Sequence, residues 1–93
     1  MAIVKREINI VNEYGLHARP AMQLVELSNS FQSSIEVSNG DLSVDAKSIM
    51  SVMRLAATKG TTLTVVCDGD DADAAADAVA ALIEGGFGEV GKA

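Results

Sequence analysis

The stretch GLHARPA, residues 15–21, contains the only histidine of the chain, two positions before an arginine. A neutral imidazole has a ring nitrogen with a free lone pair, which makes His17 a candidate nucleophile. The guanidinium of Arg19 offers planar, charge-assisted hydrogen bonds to oxygens that are held beside that nitrogen. Residues of these two types at this spacing suit the transfer of a phosphoryl group onto His17.

A helix is predicted to begin just after His17. Pro20 suits a first helical turn, where its missing N–H group needs no partner. The next residues form one stripe at helical spacing: Ala21, Leu24, Val25 and Ser28. Backbone N–H groups at a helix start lack intrahelical acceptors, and the helix dipole adds partial positive charge there. His17 is therefore expected beside an anion-binding helix terminus. Gly15 before it allows the backbone either to approach closely or to turn sharply.

The residues alone leave other interpretations open. Most lone surface histidines have no chemical function, so spacing by itself does not decide for chemistry at His17. A metal site is not indicated, because the sole histidine and the sole cysteine, Cys67, have no evident companion ligands. We expect no metal and no cofactor, and one cysteine excludes an intramolecular disulfide.

Hydrophobic periodicity divides the chain into alternating strands and helices. Strands are predicted at 4–11, on both sides of Asn39-Gly40 within 33–46, and at 61–67, and helices at about 18–30, 48–57 and 72–84. Lys59-Gly60 and Gly85-Gly86 are predicted helix ends, and Asp70 or Asp71 is a predicted cap. The β-α-β-β-α-β-α order indicates an α+β open-faced sandwich, in which helices cover one face of a small antiparallel sheet.

Length and composition narrow the class of protein. The 93 residues are expected to form one domain, 1–93. A net charge of −6 argues against nucleic acid as a partner. No apolar run approaches the length of a membrane span, and the N-terminus lacks the pattern of a signal peptide. We therefore expect a cytoplasmic protein that does not insert into membranes.

Two segments resemble the HPr family, the histidine-containing phosphocarriers of the bacterial phosphotransferase system. GLHARPA at 15–21 resembles the active-site signature of that family. KSIMSVM at 47–53 resembles its regulatory serine region. The element order and the length match as well, so the resemblance covers essentially the whole chain.

The resemblance implies a function for His17. In that family the histidine takes a phosphoryl group from Enzyme I, which is charged by phosphoenolpyruvate, and passes it to an EIIA-type protein. His17 would then be the phosphoacceptor, forming a pros-phosphohistidine at Nδ1. Arg19 would steady the phosphate, and the backbone N–H groups of Ala18 and Arg19 would bind it. Such a protein is a phosphocarrier rather than an autonomous enzyme, and we expect a monomer.

The second motif places Ser48 at the start of a helix. On physical grounds alone, Ser48 is a plain N-cap. The resemblance implies phosphorylation of Ser48 by HPr kinase/phosphorylase. Spacing predicts that Ile49, Val52 and Ala56 face inward with Leu55 at the edge of their stripe, and that two methionines lie on an adjoining side. The resemblance implies that Ile49, Met50 and Met53 contact Enzyme I and EIIA-type partners.

The resemblance mixes two branches of the family. ARPAMQLVEL and ALIEGGFGEV look like the nitrogen-related branch, NPr, whereas KSIMSVM looks like the kinase-regulated sugar-transport branch. Two other functions remain open. One is a regulatory protein that binds transcription factors or metabolic enzymes through phosphorylated Ser48, and the other is an α+β interaction domain without phosphotransfer. The intact histidine motif favours the phosphocarrier.

Overall fold

The strands and helices follow one another in the predicted β-α-β-β-α-β-α order. The computed structural model describes residues 2–12, 15–55 and 57–88. Its elements are β1 Ile3–Asn9, α1 Ala18–Asn29, β2 Ser34–Ser38, β3 Ser43–Asp45, α2 Ile49–Met53, β4 Thr62–Asp68, α3 Ala72–Glu84 and a 3₁₀ turn at Gly86–Gly88. The α+β prediction is therefore confirmed.

The four strands form one antiparallel sheet in the order β1-β4-β2-β3. Alternation within each strand sends one set of side chains to the helices and the other set to the open face. Ile8 of β1 lies opposite Leu63 of β4, and both are buried. Periodicity gave no strand order, because it does not report which strands pair.

The core lies between the sheet and the helices. Helix α1 contributes Ala21 and Leu24, both fully buried, as the predicted stripe requires. Helix α3 lies against β1 and β4 and buries a predominantly alanine face: Ala72, Ala75, Ala76, Val79, Ala80 and Ile83. Small side chains on this face permit close helix–sheet packing, which suits a chain with few aromatic residues.

Helix α2 is shorter than predicted. The expected range was 48–57, but the helix ends at Met53. The N–H groups of Arg54 and Leu55 bond to carbonyls three residues earlier, at 3.1 Å each, so the last turn tightens and the helix stops. Leu55 is thereby buried in the core.

The predicted inward stripe of α2 is partly wrong. Val52 is fully buried, but Ile49 keeps 38% of its surface exposed. Ala56 lies outside the described residues. The predicted stop at Lys59-Gly60 forms a separate turn, in which Thr61 N–H donates to the Thr58 carbonyl at 3.0 Å. The predicted stripe runs from residue 49 to residue 56, but the helix has only five residues and ends at Met53. Ile49 is its first residue and stays partly exposed.

Asp71 occupies the N-cap position of α3, but its carboxylate does not cap that helix. It accepts hydrogen bonds from the N–H groups of Gln32 and Ser33, at 2.8 and 2.9 Å, and from the Ser33 hydroxyl. A Cβ atom on the nearby Gly69 would lie 2.8 Å from Ser33 Cα, so this approach requires glycine. The predicted cap instead ties the segment after α1 to the start of α3.

We predict that this carboxylate makes stability depend on pH in acid. The hydrogen bond from the Ser33 hydroxyl and then that from Gln32 N–H hold the pKa of Asp71 below its ordinary value of 3.8. Its contribution to the free energy of unfolding is therefore fully present above pH 3.8 and is lost as pH falls through the folded-state pKa. Asp71→Asn should lower the urea midpoint at neutral pH and approach the wild-type midpoint in acid.

Urea unfolding of both proteins at a series of pH values measures this difference. Asp70→Asn is the matched control, because it removes a neighbouring exposed carboxylate that accepts none of these three bonds. A difference between wild type and Asp71→Asn that stays constant throughout the acid range would contradict the prediction.

Candidate functional site

His17 is the N-cap residue of α1, as the sequence predicts. Its backbone is extended, with φ −81° and ψ −174°, and its carbonyl accepts the hydrogen bond from Ala21 N–H at 3.0 Å. The half-buried side chain does not cap the helix. Arg19 follows in the first turn and is exposed.

The first turn of α1 is an electropositive terminus. The N–H groups of Ala18 and Arg19 have no acceptor within the helix, and Pro20 has no N–H group to satisfy. The first turn contains no acidic residue that would neutralise the helix dipole. The residues predicted to bind an anion, Ala18 and Arg19, therefore stand in an electropositive first turn next to His17. Binding of an anion by them stays a prediction.

The segment before His17 is held by a second loop. Leu16 N–H donates to the Ala57 carbonyl at 2.9 Å. Ile10 is bonded to the same loop at both of its backbone polar groups, through Thr61 at 2.9 Å and Gly60 at 2.8 Å. Gly15 has φ +61°, so the backbone makes the sharp turn that glycine allows there. These contacts fix where α1 starts.

Sequence reasoning missed Asn12. Its side chain is fully buried, and its Nδ2 donates to the Gly15 carbonyl at 2.7 Å. A signal was available: an asparagine directly after an apolar strand and shortly before a glycine is typical of a side chain that bonds local backbone.

Ser48 is the N-cap of α2, as predicted. Its half-buried hydroxyl accepts from Ser51 N–H at 3.4 Å. The preceding residue, Lys47, is held on both sides: its carbonyl accepts from Asn29 Nδ2 at 3.1 Å, and its ammonium donates to the Phe31 carbonyl at 2.8 Å. Because Asn29 is the last residue of α1, Ser48 lies near the end of α1 opposite His17.

The structure therefore separates the two candidate modification sites. Twelve residues of α1 span about 18 Å at the usual rise per residue. Ala18 and Arg19 come together with His17, whereas Ser48 does not.

Four large apolar side chains are exposed on helices α1 and α2. We call them the methionine patch: Met22, Ile49, Met50 and Met53, with exposures of 53, 38, 78 and 42%. Met22 was missed, although it stands on α1 outside the stripe that faces the core. Met22 and Ile49 line a groove of about 300 Å³ together with Val25 and Glu26. The groove joins the two helices, and methionine side chains adapt readily to different contact surfaces.

The described residues contain no group of three or more His, Cys, Asp or Glu side chains that could hold a metal ion. Cys67 is buried in β4. Burial raises the pKa of its thiol, and the positive charge of Arg6 opposes that shift. A buried thiol with a raised pKa is a poor nucleophile, so His17 is a better candidate for nucleophilic chemistry than Cys67.

None of the helices in the described ranges is long and apolar enough to cross a bilayer.

Comparisons with known proteins agree on one family. A family model described as the PTS HPr component phosphorylation site matches residues 4–85. The phosphocarrier protein HPr of Cupriavidus necator is 46% identical over 87 residues, which are 94% of this chain and 98% of that protein. The phosphocarrier protein NPr of Shewanella violacea is 37% identical over 89 residues, which are 96% of this chain and 98% of that protein.

A solved structure agrees with the same assignment. The crystal structure of HPr-C-His from Thermoanaerobacter tengcongensis superposes with a TM-score of 0.86 at 42% identity, covering 96% of this chain and 98% of that chain. The chain belongs to the PTS-HPr family: it is a phosphocarrier protein of the phosphotransferase system rather than a catalytic enzyme. Proteins of this family interact with other components of that system.

We predict that Gly15→Ala disrupts this site. A Cβ atom there would meet the Ala57 carbonyl oxygen and would lie 2.8 Å from Thr58 Cα, in backbone with φ +61°. The left-handed conformation alone costs about 1–2 kcal/mol, and the clash adds to it. Urea unfolding should therefore show a loss of more than about 2 kcal/mol.

Gly40→Ala is the matched control, because Gly40 also has a positive φ, +99°, but a Cβ atom there would meet nothing within 4 Å. Equal losses in the two variants would show that the contact between the His17 loop and the Ala57 loop is unimportant.

Proposed function

We propose that this chain accepts a phosphoryl group on Nδ1 of His17 from phosphoenolpyruvate-charged Enzyme I and passes it to an EIIA-type protein. The observation that supports this most is the position of His17, the only histidine, at the N-cap of an α1 terminus without acidic residues. The chain also belongs to a family whose model is described as a phosphorylation site, and this supports the proposal as well.

The transfer needs no further reactant. The lone pair of Nδ1 attacks phosphorus, a P–N bond forms, and the bond between phosphorus and its donor atom on Enzyme I breaks. The electron pair of that bond returns to the donor. The guanidinium of Arg19 and the N–H groups of Ala18 and Arg19 stabilise the phosphoryl oxygens throughout. Transfer to the acceptor repeats the exchange, with His17 as the leaving group.

An open anion site suits a carrier. The side chain of His17 is half-buried, and Ala18 and Arg19 are exposed. Donors in contact with water bind phosphate less tightly than donors in a closed pocket, because water competes for the same oxygens. The phosphoryl group can then be received and released without a large barrier.

The proposal includes docking through the methionine patch. Ile49, Met50 and Met53 form the contact surface for Enzyme I and for the EIIA-type acceptor, and Met22 extends it. Arg19 lies at the end of α1 next to His17, so an acidic rim on the partner would pair with it. The proposed working unit is one HPr domain over 1–93, a monomer in the cytoplasm.

Ser48 is the proposed regulatory site. Its hydroxyl is half-buried at the start of α2, directly before the exposed Ile49 and Met50. A phosphate added by an HPr kinase/phosphorylase would place negative charge beside the docking surface. The second candidate function follows from the same position: phosphorylated Ser48 would form a binding face for a transcription factor or a metabolic enzyme.

We predict that His17→Ala abolishes phosphate uptake and leaves the fold intact. The substitution removes the sole imidazole, and the side chain makes no capping bond to α1. Purified protein is incubated with Enzyme I and phosphoenolpyruvate, and intact mass is measured before and after brief acid treatment. Wild type should gain one phosphate that acid removes, because the P–N bond of phosphohistidine is acid-labile.

His17→Ala should gain no mass while its circular dichroism matches wild type. An acid-stable phosphate on wild type would point to a hydroxyl such as that of Ser48. An acid-labile phosphate on His17→Ala would end the assignment to His17.

We predict that Ser48→Asp weakens binding to Enzyme I about fivefold, which corresponds to about 1 kcal/mol. The added carboxylate lies at a helix start, so it should not unfold α2. Calorimetric titration measures the dissociation constant. Ser43→Asp is the control, because it adds the same charge at an exposed position of β3, on the face of the sheet opposite the buried Val44. Equal affinity for Ser48→Asp and Ser43→Asp would count against Ser48 as a switch.

A further inference from the structure

Asn12 is a buried polar residue at the start of the segment that leads to His17. It has 0% exposure, and its Nδ2 donates a 2.7 Å hydrogen bond to the Gly15 carbonyl. Gly15 N–H donates in return to the Asn12 carbonyl at 3.3 Å. Two hydrogen bonds therefore join Asn12 to the residue that stands two positions before His17.

The peptide group between Gly15 and Leu16 is held at both of its polar ends. Its carbonyl accepts from Asn12 Nδ2, and its N–H donates to the Ala57 carbonyl at 2.9 Å. Since a peptide group is planar, two bonds in opposite directions fix its orientation. The side chain of Leu16 is 4% exposed and anchors the same point in the core.

We infer that Asn12 is a positioning residue, which orients His17 for phosphoryl transfer by fixing the Gly15–Leu16 peptide group. Leu16 joins that group to His17, whose extended backbone places the imidazole at the start of α1. Without the Nδ2 donor the peptide group can rotate, and the imidazole shifts relative to the N–H groups of Ala18 and Arg19. A displacement of about 1 Å between reacting groups can slow a reaction by roughly 10²-fold.

The amide is the part of Asn12 that matters. Asn12→Asp has almost the same shape but no N–H donor, and it sets carboxylate oxygens against the carbonyl oxygen of Gly15. Asn12→Ala removes the whole group. Asn12→Ser keeps a small hydroxyl donor and is the milder variant, in case either of the others folds poorly.

This function of Asn12 rests on the proposed phosphorylation of His17, so its test uses two independent readouts. The first is the steady-state rate of phosphate uptake from Enzyme I and phosphoenolpyruvate. The second is the NMR spectrum of the His17 ring, recorded without any partner. Asp71→Ala is the control, because it removes three hydrogen bonds at the opposite end of α1.

For Asn12→Ala and Asn12→Asp we expect kcat to fall by roughly 10- to 100-fold. KM should stay within about twofold of wild type, because the methionine patch that docks the partner is unchanged. The His17 ring signals should shift in both variants, and Asn12→Ser should recover part of kcat. Asp71→Ala should keep the wild-type kcat and ring signals despite its lower stability.

An unchanged kcat in a folded Asn12 variant would overturn the inference. So would an equal loss of kcat in Asp71→Ala, since that would report general destabilisation. If wild type takes up no phosphate, the proposed function fails. The NMR spectrum of the His17 ring alone then tests whether Asn12 positions that ring. Ring signals identical in wild type and variants would overturn the positioning, and shifted signals would support it.

Discussion

The candidate functional site depends on the backbone N–H groups in the first turn of α1, which have no hydrogen-bond acceptor within the helix. Every helix has such groups, and most proteins cover them with an acidic or hydroxyl side chain. Here the N-cap is His17, which makes no capping bond, and the first turn contains no acidic residue. On the proposed function this terminus binds the phosphoryl oxygens, and the imidazole of His17 beside it supplies the nucleophilic nitrogen.

The sheet explains why this terminus is held in place. β1 and β4 are antiparallel neighbours, and Asn9 pairs with Thr62 at one end of that ladder. The segment that leaves β1 and the segment that enters β4 therefore meet at the same end of this strand pair. This is where Leu16 bonds to Ala57 and Ile10 bonds to Thr61. Residues far apart in sequence thus support the start of α1.

Local patterns predicted most of the elements and both helix starts at His17 and Ser48, because periodicity and capping act over a few neighbouring residues. Long-range contacts escaped prediction. Asp70 or Asp71 was expected to cap α3, but Asp71, at the N-cap position, bonds to Gln32 and Ser33, which are 39 and 38 positions away. The strand order and the early end of α2 likewise depend on tertiary packing, which buries Leu55 and leaves Ile49 exposed.

The methionine patch has a consequence for the timing of transfer. On the proposed route the donor and the acceptor both dock on the methionine patch and both react with His17, so they cannot be bound together. The carrier must then dissociate from the first partner before it binds the second. A long residence time on either partner would slow the overall transfer of phosphoryl groups. Exposed methionines suit this demand, since they conform to two differently shaped partners without binding either one tightly. On the proposed route, fast dissociation is as necessary as the chemistry at His17.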